Sequence, residues 1–217
     1  AGYEPASVIV EVMNEDGTMA QRPELEVFAQ KHGIRIGTIA DLIEYRVLND
    51  KTVNEIDVRD IDTDAGTFQL HTYTDTTSDA IHLALTKGTI SADNPCLVRV
   101  QTINTLRDIL GATRPGFKQS WSTKDALEAL ASADQGVLVI VGQPYQADQE
   151  LVQIQSFPDI PAADRSVAAS GVYRVIGAGS QILRALGVGK MRLLSSPSRY
   201  NALSGFGLEV VEFIEAE

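Results

Sequence analysis

The sequence predicts an α+β fold: a mixed, largely antiparallel sheet with flanking helices, preceded by a short αβ segment. Three observations carry this expectation. Residues 47–100 read as antiparallel β, with apolar positions separated by polar ones on either side of a hairpin turn, DTDAG at 62–66. GVLVIVG at 136–142 is an uninterrupted apolar run of strand length, as a central strand requires. From residue 178 onward, helical and strand patterns alternate.

Residues 7–13 (SVIVEVM) read as a strand, with Ile9, Glu11 and Met13 on one face and Val8, Val10 and Val12 on the other. Asn14–Gly17 is a turn. A helix follows, with Pro23 at its start, Glu24 and Glu26 in the first turn, Lys31 and His32 in the last, and Gly33 as the stop. Leu25, Phe28 and Ala29 form its expected buried face. A short strand at Ile34–Gly37 leads to a helix that Thr38 caps and that runs to about Arg46. The character then changes, so the chain divides into residues 1–48 and 49–217. The first piece is too small to bury a core alone and is expected to dock on the rest or to belong to a larger domain.

In the second piece Val53, Ile56, Val58 and Ile61 mark one strand, and Phe68, Leu70 and Tyr73 the returning one. AIHLALTKG (80–88) and CLVRVQ (96–101) read as two more. TRPGFKQSWS (113–122) is a loop, after which Ser122 or Thr123 caps a helix that carries Ala126, Leu127 and Leu130. Residues 143–170 show no clear pattern. A helix over 178–186, a strand at Lys190–Leu194, a short helix over 198–204 and a strand at Leu208–Ile214 complete the expectation.

Composition bounds the function. The chain has 217 residues, 44% hydrophobic and 22% charged, as in ordinary globular proteins. No apolar run reaches the roughly 18–20 residues of a spanning helix, so no membrane segment is expected. The net charge is −11 and there is no basic stripe, which argues against a nucleic-acid partner. The lone cysteine, Cys96, excludes an internal disulfide and any multi-cysteine metal site, and it fits a reducing, cytoplasmic setting as a small buried apolar residue. Ala1 in place of an initiator Met points to a processed or cut start.

VEVMNEDGTMA (10–20) and FAQKHGIRIGTIADLIEYR (28–46), with the opening AGYEPASV, resemble the C-terminal end of the 3,4-dihydroxy-2-butanone-4-phosphate synthases of riboflavin biosynthesis. Residues 75–217 resemble the GTP cyclohydrolase II domain often fused behind that synthase, through HLALTKG (82–88), LVRVQ (97–101), GVLVIV (136–141) and GSQILRALGVGKMRLLSSPSRYNALSGFGLEVVE (179–212). The resemblance implies a cyclohydrolase II-like domain over 49–217, preceded by a remnant of the synthase domain over 1–48.

In the synthase the carboxylate at the position of Glu11 is catalytic, in a magnesium-dependent rearrangement of ribulose 5-phosphate that expels formate. A carboxylate on a semi-apolar strand face suits proton shuttling next to carbonyls. By pattern alone Glu11 reads first as a solvated strand-end residue, and the resemblance reverses that in favour of the catalytic role. The family's metal ligands, an early glutamate and a Gly-His-Thr histidine, precede the stretch where this chain opens, and His32, His71 and His82 do not fit that motif. Glu11 is therefore expected to act only in the intact synthase, and the chain alone is expected to be inactive. The acidic NEDG turn lacks calcium-loop spacing and reads as solvated.

The cyclohydrolase resemblance keeps the scaffold and drops the chemistry. The family's zinc is held by three cysteines of a CLTGDVFGSxRCDC-like stretch after the LVRV strand. Here the region reads QTINTLRDILGATRPGFKQSW (101–121), without cysteine or histidine, and Asp108 alone cannot form a catalytic zinc site. Zinc and GTP turnover are expected to be absent. RQEGRGIGL becomes GQPYQADQE (142–150) and TNNPxK becomes SSPSRY (195–200), which leaves Arg199 as a surface charge. GAGS (177–180) reads as a helix-start turn rather than an anion cradle. Arg174 lies about one residue out of register with the family's catalytic arginine, so that role is not carried over. Phe117 and Trp121 either fill the vacated pocket as core or form a contact surface; core is the preferred reading. A structural or regulatory module supporting a homodimeric lyase is thus expected. The alternatives are an active GTP cyclohydrolase II with atypical ligands and a nucleotide- or flavin-sensing module.

Overall fold

In the computed structural model of the chain, residues 4, 6–38, 42, 45, 50–116, 119–144, 146–159, 165–197 and 203–216 are described, without the side chains of 165–174 and 204. The chain forms two compact units, Ala1–Arg46 and Val47–Glu217.

The first unit contains helix α1 (Arg22–His32). Its start follows from the chemistry at hand: Pro23 needs no donor, and the Glu24 carboxylate accepts from the Gln21 backbone N–H at 2.9 Å. Gly33 ends it in the left-handed region, at φ 64°. Of the expected buried face, Ala29 is buried and Leu25 half-buried, but Phe28 is exposed, its ring tilted 43° against the His32 ring with centroids 4.5 Å apart. The strand expected over 7–13 is absent. Those residues are irregular apart from a single bridge between Met13 and Met19 across the Asn14–Gly17 turn. Alternation makes a strand only where a neighbour accepts its hydrogen bonds. Ile34–Gly37 is irregular for the same reason. Leu42 and Tyr45 are helical, and the rest of the helix expected after Thr38 lies outside the described residues.

The second unit is built on β1 (Val53–Thr63), β2 (Gly66–Asp75), β3 (Ile81–Lys87), β4 (Cys96–Gln101), β5 (Gly136–Ile140), β6 (Lys190–Leu194) and β7 (Glu209–Ile214). Its helices are α2 (Thr123–Ala131), α3 (Ala147–Ser156) and α4 (Arg165–Ala185), with a π-helical turn at Thr105–Ile109 and a 3₁₀ turn at Leu203–Phe206. The sheet order is β1-β2-β3-β5-β4-β6-β7. The β1–β2–β3–β5 half is antiparallel, while β5, β4, β6 and β7 run parallel. This corrects the reading of 47–100 as one antiparallel block. β5 inserts between β3 and β4, and β4 reaches it through the α2 crossover, a connection long enough for parallel pairing. β5 is central, as its unbroken apolar run requires.

Each face of the sheet carries a core. On one, Val98, Val137, Val139 and Met191 pack with Ile182 and Leu183 of α4, and Cys96 is fully buried among them, its thiol pushed up to about 12 by burial. On the other, Phe68, Leu85 and Leu138 pack with Ala126 and Leu130 of α2. Ser122 caps α2, accepting from the Asp125 N–H. GAGS (177–180) lies inside α4, which begins at Arg165, and not at a helix start as expected. Its glycine serves packing: a Cβ on Gly179 would sit 2.7 Å from Val100 Cγ1 of β4, so helix and sheet approach closely there. The patternless stretch 143–170 holds α3 and the start of α4. Of the short helix expected over 198–204, the described part is the turn at Leu203–Phe206; Arg199 lies outside the described residues, as does the side chain of Arg174.

Candidate functional site

By the resemblance, the loop leaving β4 falls where a metal-binding stretch is expected. With CLTGDVFGSxRCDC laid over residues 104–117, Asp108, Gly111 and Arg114 coincide, and the three cysteines fall on Asn104, Pro115 and Phe117. Phe117 lies outside the described residues. Asn104 caps the π-helical turn, its side-chain oxygen accepting from Arg107 N–H at 2.9 Å. Asp108, its side chain only 2% exposed, is gripped from four directions. It accepts from Asn104 N (2.8 Å), Thr123 N (2.8 Å), Arg107 Nε (3.0 Å) and Arg107 Nη2 (2.7 Å). Burial is the largest single influence and pushes its pKa up, but these bonds and the Arg107 charge together outweigh it and hold the carboxyl below its ordinary range.

The surroundings complete a closed polar network. Gln101 Nε2 donates to Thr123 Oγ1 at 2.6 Å, and the buried Arg99 donates to Gln101 Oε1, the Leu194 carbonyl and the Trp121 carbonyl. Trp121 is half-buried against the α2-side core and donates its indole N–H to the Ile214 carbonyl at 2.9 Å. That is the core role preferred for it. Zinc does not fit these residues. Asn104 and Asp108 have their oxygens committed to the chain's own donors, and Pro115 has no ligand atom in its side chain. Among the described residues no three His, Cys, Asp or Glu side chains converge in a way that could hold a metal ion.

Glu11 is exposed in the first unit, among exposed Val8, Ile9 and Val10. In that unit Asp16 accepts from Thr18 N and Oγ1, which makes the acidic NEDG stretch a self-bonded turn. Two clusters that the sequence did not mark lie on β1–β3. Glu55, beside a bulge in β1, bonds His71 Nδ1 at 2.7 Å and accepts from Tyr73 Oη at 3.0 Å, while His71 Nε2 faces Thr86 Oγ1 at 3.4 Å. Burial and then the Glu55 bond push the Tyr73 phenol well up. The second cluster is His82 with Asp75. Glu55, His71 and Thr86 are distant in sequence and meet through strand register, whereas His82 meets Asp75 across the connection between β2 and β3.

His82 is fully buried, and its Nδ1 accepts from the Gly142 N–H at 3.0 Å, so its proton sits on Nε2. Nε2 lies 3.5 Å from Asp75 Oδ2, too far for a hydrogen bond, and has no other partner among the described residues. Asp75 is held instead by Thr77 N, Thr77 Oγ1 and Ser78 Oγ. Burial lowers the His82 pKa against the opposing pull of Asp75. The unfolded chain therefore takes up a proton near pH 6.5 while the folded chain still resists it. The stability this neutral ring contributes is full above that pH and declines as pH falls through the lowered folded value, by up to about 1.4 kcal/mol per pH unit. His82→Asn, which keeps an acceptor for Gly142, should flatten that slope. Urea unfolding at pH 7.5 and 5.5 measures it, and equal slopes in both proteins would remove His82 as the cause.

A sequence model of GTP cyclohydrolase II matches residues 54–215, and one of 3,4-dihydroxy-2-butanone 4-phosphate synthase matches residues 1–45. A 3,4-dihydroxy-2-butanone 4-phosphate synthase of Pseudomonas aeruginosa is 49% identical over 217 residues, which is 100% of this chain and 58% of that protein. One from Photobacterium phosphoreum is 46% identical, over 99% of this chain and 57% of its own length. The riboflavin biosynthesis protein RibBA of Aquifex aeolicus is 38% identical, over 98% and 54%. A crystal structure of RibBX, a two-domain 3,4-dihydroxy-2-butanone 4-phosphate synthase from A. baumannii, superposes with a TM-score of 0.67 at 43% identity, covering 94% of this chain and 52% of that one. The chain thus spans little more than half the length of the relatives it matches.

Proposed function

Because the chain belongs to the GTP cyclohydrolase II family and carries the end of a butanone-phosphate synthase sequence in front, we propose that it is part of a riboflavin-biosynthesis protein in which the cyclohydrolase-like domain turns over no GTP. That domain serves the synthase as a structural or regulatory module within a homodimer. The observation that carries this reading is the Asn104–Asp108 loop. Where a catalytic zinc site needs about three ligands and an open position, this loop offers one carboxylate already bonded to four donors. In support, the relatives from Pseudomonas aeruginosa and Photobacterium phosphoreum are named for the synthase alone.

Glu11 is the residue of this chain assigned to the synthase reaction. Its carboxylate moves a proton at a carbon next to a carbonyl of ribulose 5-phosphate, in a site completed by other parts of the intact protein. The residues that would hold magnesium are not in this chain. The cytoplasm is the proposed setting; no helix among the described residues is long and apolar enough to cross a membrane.

The chain, purified with zinc in the medium and then desalted, is expected to carry far less than stoichiometric zinc by plasma mass spectrometry. It should neither consume GTP nor release formate from it. A full complement of zinc together with GTP turnover would overturn the reading in favour of an atypical cyclohydrolase, and a thermal shift with GTP, FMN or riboflavin would favour a sensing module. In the intact protein Glu11→Gln should lower synthase kcat about 10²–10⁴-fold, the span of general acid–base contributions.

A further inference from the structure

Gln181 of α4 holds the chain at the point where it enters the second unit. The first unit ends at Arg46, and β1 opens at Val53. Just ahead of β1, the Gln181 side-chain oxygen accepts from Thr52 N–H at 3.0 Å and faces Thr52 Oγ1 at 3.4 Å. Its amide nitrogen donates to the Asp50 carbonyl at 3.1 Å. A parallel strand bonds its neighbour in this pattern, through the carbonyl before a residue and the N–H after it. One side chain thus stands in for a strand across Lys51, which is itself exposed. On the other side the Thr52 carbonyl accepts from Thr76 N–H at 2.8 Å, and Val53, 3% exposed, enters the core. The platform under Gln181 is fixed, because Ser180, Ile182 and Leu183 beside it are all buried. A glutamine loses more side-chain freedom on ordering than an aliphatic residue does, so its use here points to the bonds and not to packing.

We propose that this clasp sets the length of the tether between the two units, and that through it the second unit acts on the synthase. With Asp50 held, the chain from Arg46 to Asp50 can reach at most about 14 Å. Released as far as Val53, it can reach about 25 Å. A short tether keeps the parts it joins at a high effective concentration, which falls steeply as the tether lengthens. Both bonds go to backbone groups, so the hold does not depend on the side chains of residues 50 and 51. The proposal rests on the reading above, in which the second unit serves the synthase, and makes Gln181 the positioning residue of that service. The two fail separately, because zinc content and GTP turnover do not report on the clasp.

Hydrogen exchange read by mass spectrometry, beside the rate of formate release from ribulose 5-phosphate, tests it in the intact protein with its synthase part. Gln181→Met keeps the length of the side chain and removes the amide. The Thr52 N–H should then exchange at least about tenfold faster, while the amides of β4 and β5 keep their wild-type rates. Synthase kcat should fall at least about twofold. A second variant lengthens the tether and leaves the clasp alone: Gly-Ser-Gly inserted between Leu48 and Asn49 should lower kcat in the same way with the Thr52 N–H still slow. A Thr52 N–H that stays slow in Gln181→Met would overturn the clasp. Fast exchange throughout β4 and β5 in that variant would show that Gln181 holds the sheet and not the tether, and would overturn it too. An unchanged kcat in the insertion variant would overturn the link between tether length and the synthase.

Discussion

Gly88→Ala is expected to remove most of the stability of the second unit. Gly88 follows β3 at φ +71°, a region where a Cβ costs roughly 1–2 kcal/mol. A Cβ there would also stand 2.0 Å from the Asp134 carbonyl oxygen. The obstacle is backbone, in the turn that feeds β5, and β5 is pinned to β3 by the Lys87–Gly136 pairing. Neither strand can yield without unzipping the centre of the sheet. We expect a loss of at least about 4 kcal/mol, against a total of about 5–15 kcal/mol for a domain. Gly111→Ala is the control. Its φ is +62° with nothing within 4 Å of a Cβ, so it should lose only the conformational part, roughly 1–2 kcal/mol. Urea midpoints compare the two, and similar values would show that the β3–β5 junction is looser than described.

The second large effect concerns Asp108. Asp108→Ala strips the acceptor from two backbone N–H groups and from Arg107, which is itself three-quarters buried. Removing one partner of a buried pair costs about 3–5 kcal/mol; some solvent access at Arg107 places the expectation near about 3 kcal/mol. Trp121, the single tryptophan, lies in the same loop two residues before Thr123, so its emission should shift red as the loop opens. An acid limb accompanies this. The Asp108 pKa is lowered on folding, so on acidification the unfolded carboxyl takes a proton first. Its contribution is present above about pH 4 and is lost as pH falls below that through the folded value. Asp108→Asn should show a shallower loss of stability below pH 4, and an unchanged acid limb would mean that Asp108 is not the group responsible.

Both effects show where the sequence was readable. Pro23 and Gly33 bracket α1, Ser122 caps α2, and the run at 136–142 is central, because each signal is local: a missing donor, a positive φ, a side-chain oxygen in reach, an unbroken apolar segment. The misreadings share an opposite cause. SVIVEVM alternates like a strand and forms only the Met13–Met19 bridge, since a strand exists by virtue of its neighbour. GAGS looked like a helix start because glycines break propensity, yet contact of Gly179 with Val100 holds it inside α4.

The candidate site divides the same way. That residues 101–121 lack cysteine and histidine is plain from the letters. That Asp108, the retained carboxylate, joins the turn at 104–108 to the N-terminus of α2 is not, because Thr123 comes fifteen residues later and meets it only through the fold.

What the amino-acid sequence determined by itself was the set of elements with local signals, the family they resemble, and the want of any cysteine or histidine in residues 101–121. What only the tertiary structure decided was the insertion of β5 between β3 and β4 and the closure of the loop at Thr105–Ile109 around Asp108. The reason is range: dihedral preferences, caps and ligand identity act within a few residues, whereas strand order, buried ion pairs and helix orientation depend on groups far apart in the chain that meet only when the core closes.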